Sequence, residues 1–278
     1  MRLYLCGVRG SSPSPGAEFA QTGGHTSCVA LAHDGEAPRL VLDAGTGLRI
    51  LTDVLGDRPF RGTIVLSHLH WDHVMGLPFF AAGDHPDADV RLLVPEQGIE
   101  AEALVTRAMS PPSFPITPRH LRGRWRFETY DATEFEVEGF DVTAREVPHT
   151  GGRTMGVRVA DSSGEMAYVP DHAPHQIGLG ERGVGALHDA ACELATGVDV
   201  LVHDAQYTKE ELPTRANWGH AAADYPVELA EHCGARRVVL FHHDPFRTDA
   251  QLSVLHADVA ARARVPVDVA IEGSVVDI

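Results

Sequence analysis

The chain has 278 residues, 44 % of them hydrophobic and 22 % charged, a length and balance that sustain a sizeable core. Its formal net charge of −16, from 39 acidic and 23 basic residues, argues against a broad basic surface of the kind that grips a nucleic-acid backbone. Four scattered cysteines, Cys6, Cys28, Cys192 and Cys233, form no CxxC pair and speak against a disulfide scaffold or zinc ribbon. The opening "MRLYLCGVRGSS" lacks a signal peptide's apolar run, and no stretch of about 18 apolar residues suggests a membrane span. The expectation is a soluble, cytoplasmic protein with no membrane contact. The compositional outlier is histidine, with 17 residues.

In chain order, short β-branched runs predict strands at "RLYLCGV", "TSCVALAH", "RLVLDAG" and "GTIVLSH". Further strands are expected at "VRLLVP", "FDVTAREVPH", "MGVRVA", "EMAYVPD", "VDVLVHDA", "RRVVLFHHD" and "VDVAI". Helices are expected near 47–55, 97–109, 187–195, 221–233 and 250–264. Strands dominate first and a mixture follows, which favours two sheets with helices outside over one doubly wound sheet. No repeat or low-complexity linker divides the chain, so residues 1–278 read as a single domain. Residues 109–123, with Pro111, Pro112, Pro115 and Pro118, cannot form regular helix or central strand. They read either as a plain surface loop or as a substrate rim carrying Phe114.

Polar residues follow the apolar runs at once: Asp43, His68, His149, Asp171, Asp204 and His242. Strands lying side by side would gather these ends on one rim, where sites in layered α/β proteins commonly sit. The densest group is "SHLHWDH". His68 and His70 lie two apart, so an extended segment points both to the same side. Asp72 and His73 continue into the helix expected at "VMGLPFF", where Asp72 alone could serve as an N-terminal acid. Four donors this close cannot all wrap one tetrahedral ion without strain. A split into His68/His70 and Asp72/His73, serving two neighbouring ions, is easier. Imidazole and carboxylate suit zinc, with manganese or iron as alternatives.

"SHLHWDH" resembles the HxHxDH signature of the metallo-β-lactamase superfamily. The similarity continues in order through His149 in "VPHTGG", Asp171 in "YVPDH" and a histidine in "LFHHDP". It implies an α+β fold, a four-layer αββα sandwich of two mixed sheets flanked by helices. It also implies two divalent ions per chain. His68, His70 and His149 would hold the first, Asp72, His73 and His242 the second, and Asp171 would bridge them. The ligand in the relatives ends its strand directly, which favours His242 over His243. "GVRGSSPSPG", "GGHTSC", "DAGTG" and "HDAQYT…WGHAA" resemble the phosphodiesterase-like branch, which includes ribonuclease Z and cyclic-nucleotide phosphodiesterases. There His220 would touch the scissile phosphate, although by itself it could be an ordinary helix-start histidine. Asp204 and Asp43 would orient His220 or the ligand histidines. His25 stands where asparagine is more usual, which leaves its part open.

The resemblance implies hydrolysis of a small or cyclic nucleotide-type phosphodiester by a hydroxide shared between two ions, with Asp72 and His220 as the catalytic pair. Ribonuclease Z-like cleavage of precursor tRNA is the first alternative, disfavoured by the net charge and the lack of an obvious Gly-rich basic arm. A lactonase or thioesterase comes next. A diiron redox protein is disfavoured by His70, where such proteins usually carry glutamate. A non-catalytic metal-binding module ranks last, because all seven ligand positions are filled. Many relatives form homodimers, and the sequence leaves that open here.

Overall fold

A computed structural model describes residues 1–56 and 58–278. The first sheet contains β1 (Arg2–Gly7), β2 (Cys28–Ala32), β3 (Leu40–Leu42), β4 (Arg61–Val65), β5 (Asp89–Pro95) and β6 (Arg124–Tyr130). The second contains β7 (Glu134–Val137), β8 (Phe140–Glu146), β9 (Met155–Ala160), β10 (Glu165–Val169), β11 (Val200–Asp204), β12 (Val238–Phe241) and β13 (Val267–Val269). A last strand, β14 (Val275–Asp277), returns to the first sheet beside β1. Each sheet has seven strands among the described residues, in the orders β14-β1-β2-β3-β4-β5-β6 and β13-β12-β11-β10-β9-β8-β7.

The helices are α1 (Leu48–Leu55), α2 (Trp71–Val74), α3 (Ala101–Ala108), α4 (Asp189–Ala195), α5 (Leu212–Arg215), α6 (Asp224–Cys233) and α7 (Asp249–Arg262). Three apolar clusters define the layering. Leu3, Leu31, Leu42, Val157, Tyr168 and Phe241 meet between the sheets. Leu48, Leu51 and Leu104 cover the outer face of the first sheet through Val41, Ile64 and Leu92. Leu194, Leu229 and Leu252 cover the second through Leu201, Val238 and Leu240. This is the four-layer sandwich expected from the sequence. It also explains why the strands read as unbroken apolar runs: Leu40 and Leu42 face the other sheet while Val41 faces the helices, so neither side meets water.

Two expected boundaries shift for identifiable reasons. The helix expected from residue 221 starts at Asp224, because Ala222 bridges to Tyr207 and holds the preceding chain extended. The turn of helix after the histidine motif begins early, at Trp71, and ends at Val74, before Gly76 and Pro78. Strands β6, β7 and β14 were not foreseen. β6 and β7 lie at sheet margins and carry charged side chains where inner strands carry aliphatic ones, and β14, at the edge beside β1, is only three residues long.

The topology positions the site. β3, β4 and β5 run parallel, as do β10, β11 and β12. Their C-terminal ends deliver Asp43, Ser67–His68, Asp171, Asp204 and His242 to one edge of the sandwich. β8 pairs antiparallel with β9, and β9 with β10, so the end of β8 reaches the same edge and brings His149.

Away from this edge, His33 ties the sheets together. Its ring stacks on Phe140 at 3.9 Å, its Nδ1 pairs with Asp161 at 2.9 Å and its Nε2 with the Glu138 carbonyl at 3.0 Å. Partial burial pushes its pKa down, but the Glu138 carbonyl and the Asp161 carboxylate outweigh that and hold it above the ordinary value. A raised pKa in the folded state means stability that is present below the unfolded value of about 6.5 and is lost as pH rises through the folded one. The difference in urea midpoint between wild type and His33→Gln is therefore expected to be larger at pH 5.5 than at pH 8.5. A difference that grew with pH would contradict the assignment.

Candidate metal centre

Four histidines present the same ring nitrogen to a common centre because their other nitrogens are engaged. His73 Nδ1 donates to Asp43 Oδ2 at 2.8 Å. His149 Nδ1 donates to the Gly219 carbonyl at 2.7 Å, and His242 Nδ1 to Gln206 Oε1 at 3.0 Å. Ser67 Oγ gives its proton to Asp43 Oδ2, so it accepts from His68 Nδ1 at 3.0 Å. In the neutral ring each Nε2 then carries the lone pair, the form that binds a metal. His70 turns the other way and offers Nδ1, 3.2 Å from His149 Nε2.

The donors fall into two groups. Those of His68, His70, His149 and Asp171 lie within 4.8 Å of one another, as do those of Asp72, His73 and His242. Asp171 faces both. Its Oδ2 lies 3.5 Å from His149 Nε2 and 3.7 Å from His68 Nε2. Its Oδ1 lies 2.9 Å from His73 Nε2 and 3.2 Å from His242 Nε2. Asp72 Oδ2 completes the second group, 3.1 Å from His242 Nε2 and 3.3 Å from His73 Nε2. Tetrahedral donors about 2.0–2.1 Å from zinc sit about 3.3 Å apart, so both groups have metal-sized spacing.

The donor chemistry also calls for cations. His68 Nε2 and Asp171 Oδ1 are buried with no hydrogen bond. His73 Nε2 and His242 Nε2 face each other at 3.3 Å, though both rings have their Nδ1 proton engaged elsewhere. Burial pushes His68 well below the usual histidine range, and its histidine neighbours push it further, so it stays neutral. Burial also works against charge on His73, yet Asp171, Asp72 and Asp43 overcome it and raise its pKa strongly. Buried carboxylates that force a proton onto an imidazole are the environment a divalent ion satisfies better.

The supporting frame is tightly set. Asp43 accepts from the Ser67 amide at 2.6 Å and Tyr168 OH at 2.9 Å, besides Ser67 Oγ and His73. Ser11 gives its amide to Asp72 Oδ2 at 2.7 Å and receives Gln206 Nε2 at 3.2 Å. Ser11, Asp43 and His242 all have positive φ, 62°, 63° and 57°, a strained left-handed conformation that clusters here at the site. Gly10 allows this approach: a Cβ there would meet His242 Nδ1 at 2.4 Å.

His220 lies beside the pair of groups. Its Nδ1 is 3.0 Å from Asp204 Oδ2 and 3.6 Å from Asp171 Oδ2. Burial opposes its protonation, but Asp204, Asp171 and Asp72 outweigh it and raise its pKa. Asp204 also accepts the amides of His172, Gln206 and Ala221, which fixes the loop carrying His220. His220 falls within 4.8 Å of donors on Asp171 and His242 too, so it belongs to a third group of metal-sized spacing.

Three sequence candidates lie outside this cluster. His243 points away, its Nε2 donating to the Ala270 carbonyl at 3.0 Å. His25 pairs with Glu272 at 2.9 Å and lines a separate hollow with Phe79 and Arg49. The proline-rich segment lines neither hollow that opens onto the histidines; its Phe114 packs edge-on against Phe79 at 5.8 Å. Conversely, Ser11, Ser67, Gln206 and Gly219 carry roles that the sequence does not declare, although all four stand within "GVRGSS", "SHLHWDH", "HDAQYT" and "WGHAA". Ser11 acts through its amide and Gly219 through its carbonyl, contacts that residue type does not announce, although the positive φ of Gly219 does call for glycine.

Residues 38–243 match the beta-lactamase superfamily domain. Ribonuclease Z of Natronomonas pharaonis is 26 % identical, with 87 % of this chain and 86 % of that protein covered. A diphosphatase of the PhnP family superposes with a TM-score of 0.72 at 18 % identity, covering 100 % of this chain and 97 % of its own. The short form of human tRNase Z gives 0.67 at 19 %, covering 100 % and 99 %. At such identities the structural likenesses speak for the fold alone. Sandwich, motif and sequence match agree: the chain belongs to the beta-lactamase superfamily and has the metallo-β-lactamase fold.

Proposed function

We propose that this hydrolase of the metallo-β-lactamase fold cleaves a small phosphodiester of the cyclic-nucleotide type with the help of two divalent ions. The observation that carries this reading is the division of Asp171, one oxygen toward His68 and His149, the other toward His73 and His242. His68, His70 and His149 would hold one ion, Asp72, His73 and His242 the other, with zinc the metal of choice for this donor set. Bound there, the ions supply Lewis acidity toward the phosphoryl oxygens and activate a water. The chain's own part is positional. Asp43, Ser67, Gly219 and Gln206 hold the ligand rings, and Asp204 keeps the His220 proton on Nδ1 or, when the ring is doubly protonated, balances its charge. A protonated His220 neutralises developing charge on phosphate or gives its Nε2 proton to the leaving oxygen.

Ribonuclease Z-type cleavage is the second reading, favoured by the curated relatives. Against it, the basic residues near β5 and β6 are largely engaged by acids: Arg91 pairs with Glu128 and Arg122 with Asp84, while Arg124 and Arg126 share the single carboxylate of Asp89. Zinc- or manganese-loaded protein is expected to hydrolyse bis(p-nitrophenyl) phosphate and a 2′,3′- or 3′,5′-cyclic nucleotide, and to spare a precursor tRNA, a lactone and a thioester. Efficient tRNA cleavage with no small-diester activity would reverse the ranking.

A further inference from the structure

Tryptophan is seldom left in water, because its large apolar face gains most from burial. Two of the three tryptophans here are nonetheless exposed, Trp71 at 75 % and Trp218 at 62 %. Both line the same opening, with Ser11, Asp72, Asp171 and His220 at its base. The third, Trp125, is tied down: its Nε1 donates to the Gly83 carbonyl at 3.0 Å and its ring stacks near Phe127. Neither exposed indole N–H has a partner among the described residues.

The ligand network fixes the backbone that carries both rings. Trp71 stands between His70 and Asp72 and opens α2. Trp218 precedes Gly219, whose carbonyl accepts from His149 Nδ1 and whose φ of 94° a side chain would disfavour. A Cβ on Gly219 would also meet His149 Nδ1 at 2.8 Å. The adjoining hollow is walled by Trp71, Leu69, Ile99 and Leu104, and Arg107 on its rim has no carboxylate partner among the described residues. The mouth of the candidate metal centre is therefore lined by two exposed aromatic side chains.

We propose that Trp71 and Trp218 form a stacking clamp for the base of a nucleotide substrate, so that the protein selects base-bearing diesters over sugar or alkyl diesters. This rests on the phosphodiesterase reading for the placement of the phosphate between the two donor groups. Stacking is sequence-tolerant but favours the larger ring system, so purines should exceed pyrimidines.

Binding of adenosine 5′-monophosphate and ribose 5-phosphate to the zinc-loaded protein, measured by calorimetry, tests this without turnover. Wild type is expected to prefer the adenine nucleotide by at least about tenfold, the scale of one aromatic–base contact. Trp71→Ala and Trp218→Ala, with zinc content verified, should each cut that preference several-fold, and Trp71→Phe should retain most of it. Equal affinity for the two phosphates in wild type, a preference untouched in both alanine variants, or binding of neither ligand would each overturn the clamp. Failure of the diesterase reading shows separately, as an absence of bis(p-nitrophenyl) phosphate hydrolysis.

Discussion

Replacing Asp171 by asparagine should lower kcat/KM for bis(p-nitrophenyl) phosphate by on the order of 10³-fold, the upper range for losing one preorganised electrostatic element. Asp171 is 1 % exposed and spreads two charged oxygens over both donor groups. Asparagine keeps the shape but supplies one neutral oxygen, so at least one group loses its anionic donor. Zinc should then raise the melting temperature less than in wild type, because ligand-induced stabilisation follows affinity. The metal-free variant should still fold, since the clusters around Tyr168 and Leu201 do not depend on this carboxylate. An Asp171→Asn protein with wild-type rate and wild-type response to zinc would remove the bridge from the account.

The second large effect concerns His220. His220→Ala is expected to reduce kcat by about 10²- to 10³-fold, the range for a positioned acid or base, with KM and metal content little changed. Its partner Asp204 should behave differently. Asp204→Asn removes acceptor capacity from the amides of His172, Gln206 and Ala221 as well as from His220. Leaving such buried donors short costs about 1–3 kcal/mol each. The asparagine variant should therefore lose more melting temperature than His220→Ala, in which the loss of rate dominates. Loss of one metal ion in His220→Ala would instead make His220 a ligand, through the group it forms with Asp171 and His242.

Much of this arrangement can be read from the chain itself. The alternation of His68 and His70 on an extended segment, and of polar residues at apolar strand ends, follows from period-two geometry and parallel strand order. Those two rules account for the layered fold and for the meeting of residues separated by up to 174 positions, from His68 to His242. They do not reach what is conveyed by backbone or by neutral side chains. The Ser11 amide on Asp72, the Gly219 carbonyl on His149 and the Gln206 amide oxygen on His242 depend on loop paths that no residue pattern specifies. The edge strands β6 and β7 escaped because they lie at sheet margins and carry charge on a face that inner strands bury. Trp71 and Trp218 were legible as letters but not as a pair, since only the fold brings them to one opening.

The central claim is a two-ion centre, and counting the ions tests it most directly. Protein stripped by chelator, reloaded with zinc, dialysed and analysed for metal should carry two ions per chain, with diesterase activity appearing as the second site fills. One ion or none per chain in folded protein, or diesterase activity that persists in the stripped protein, would contradict it.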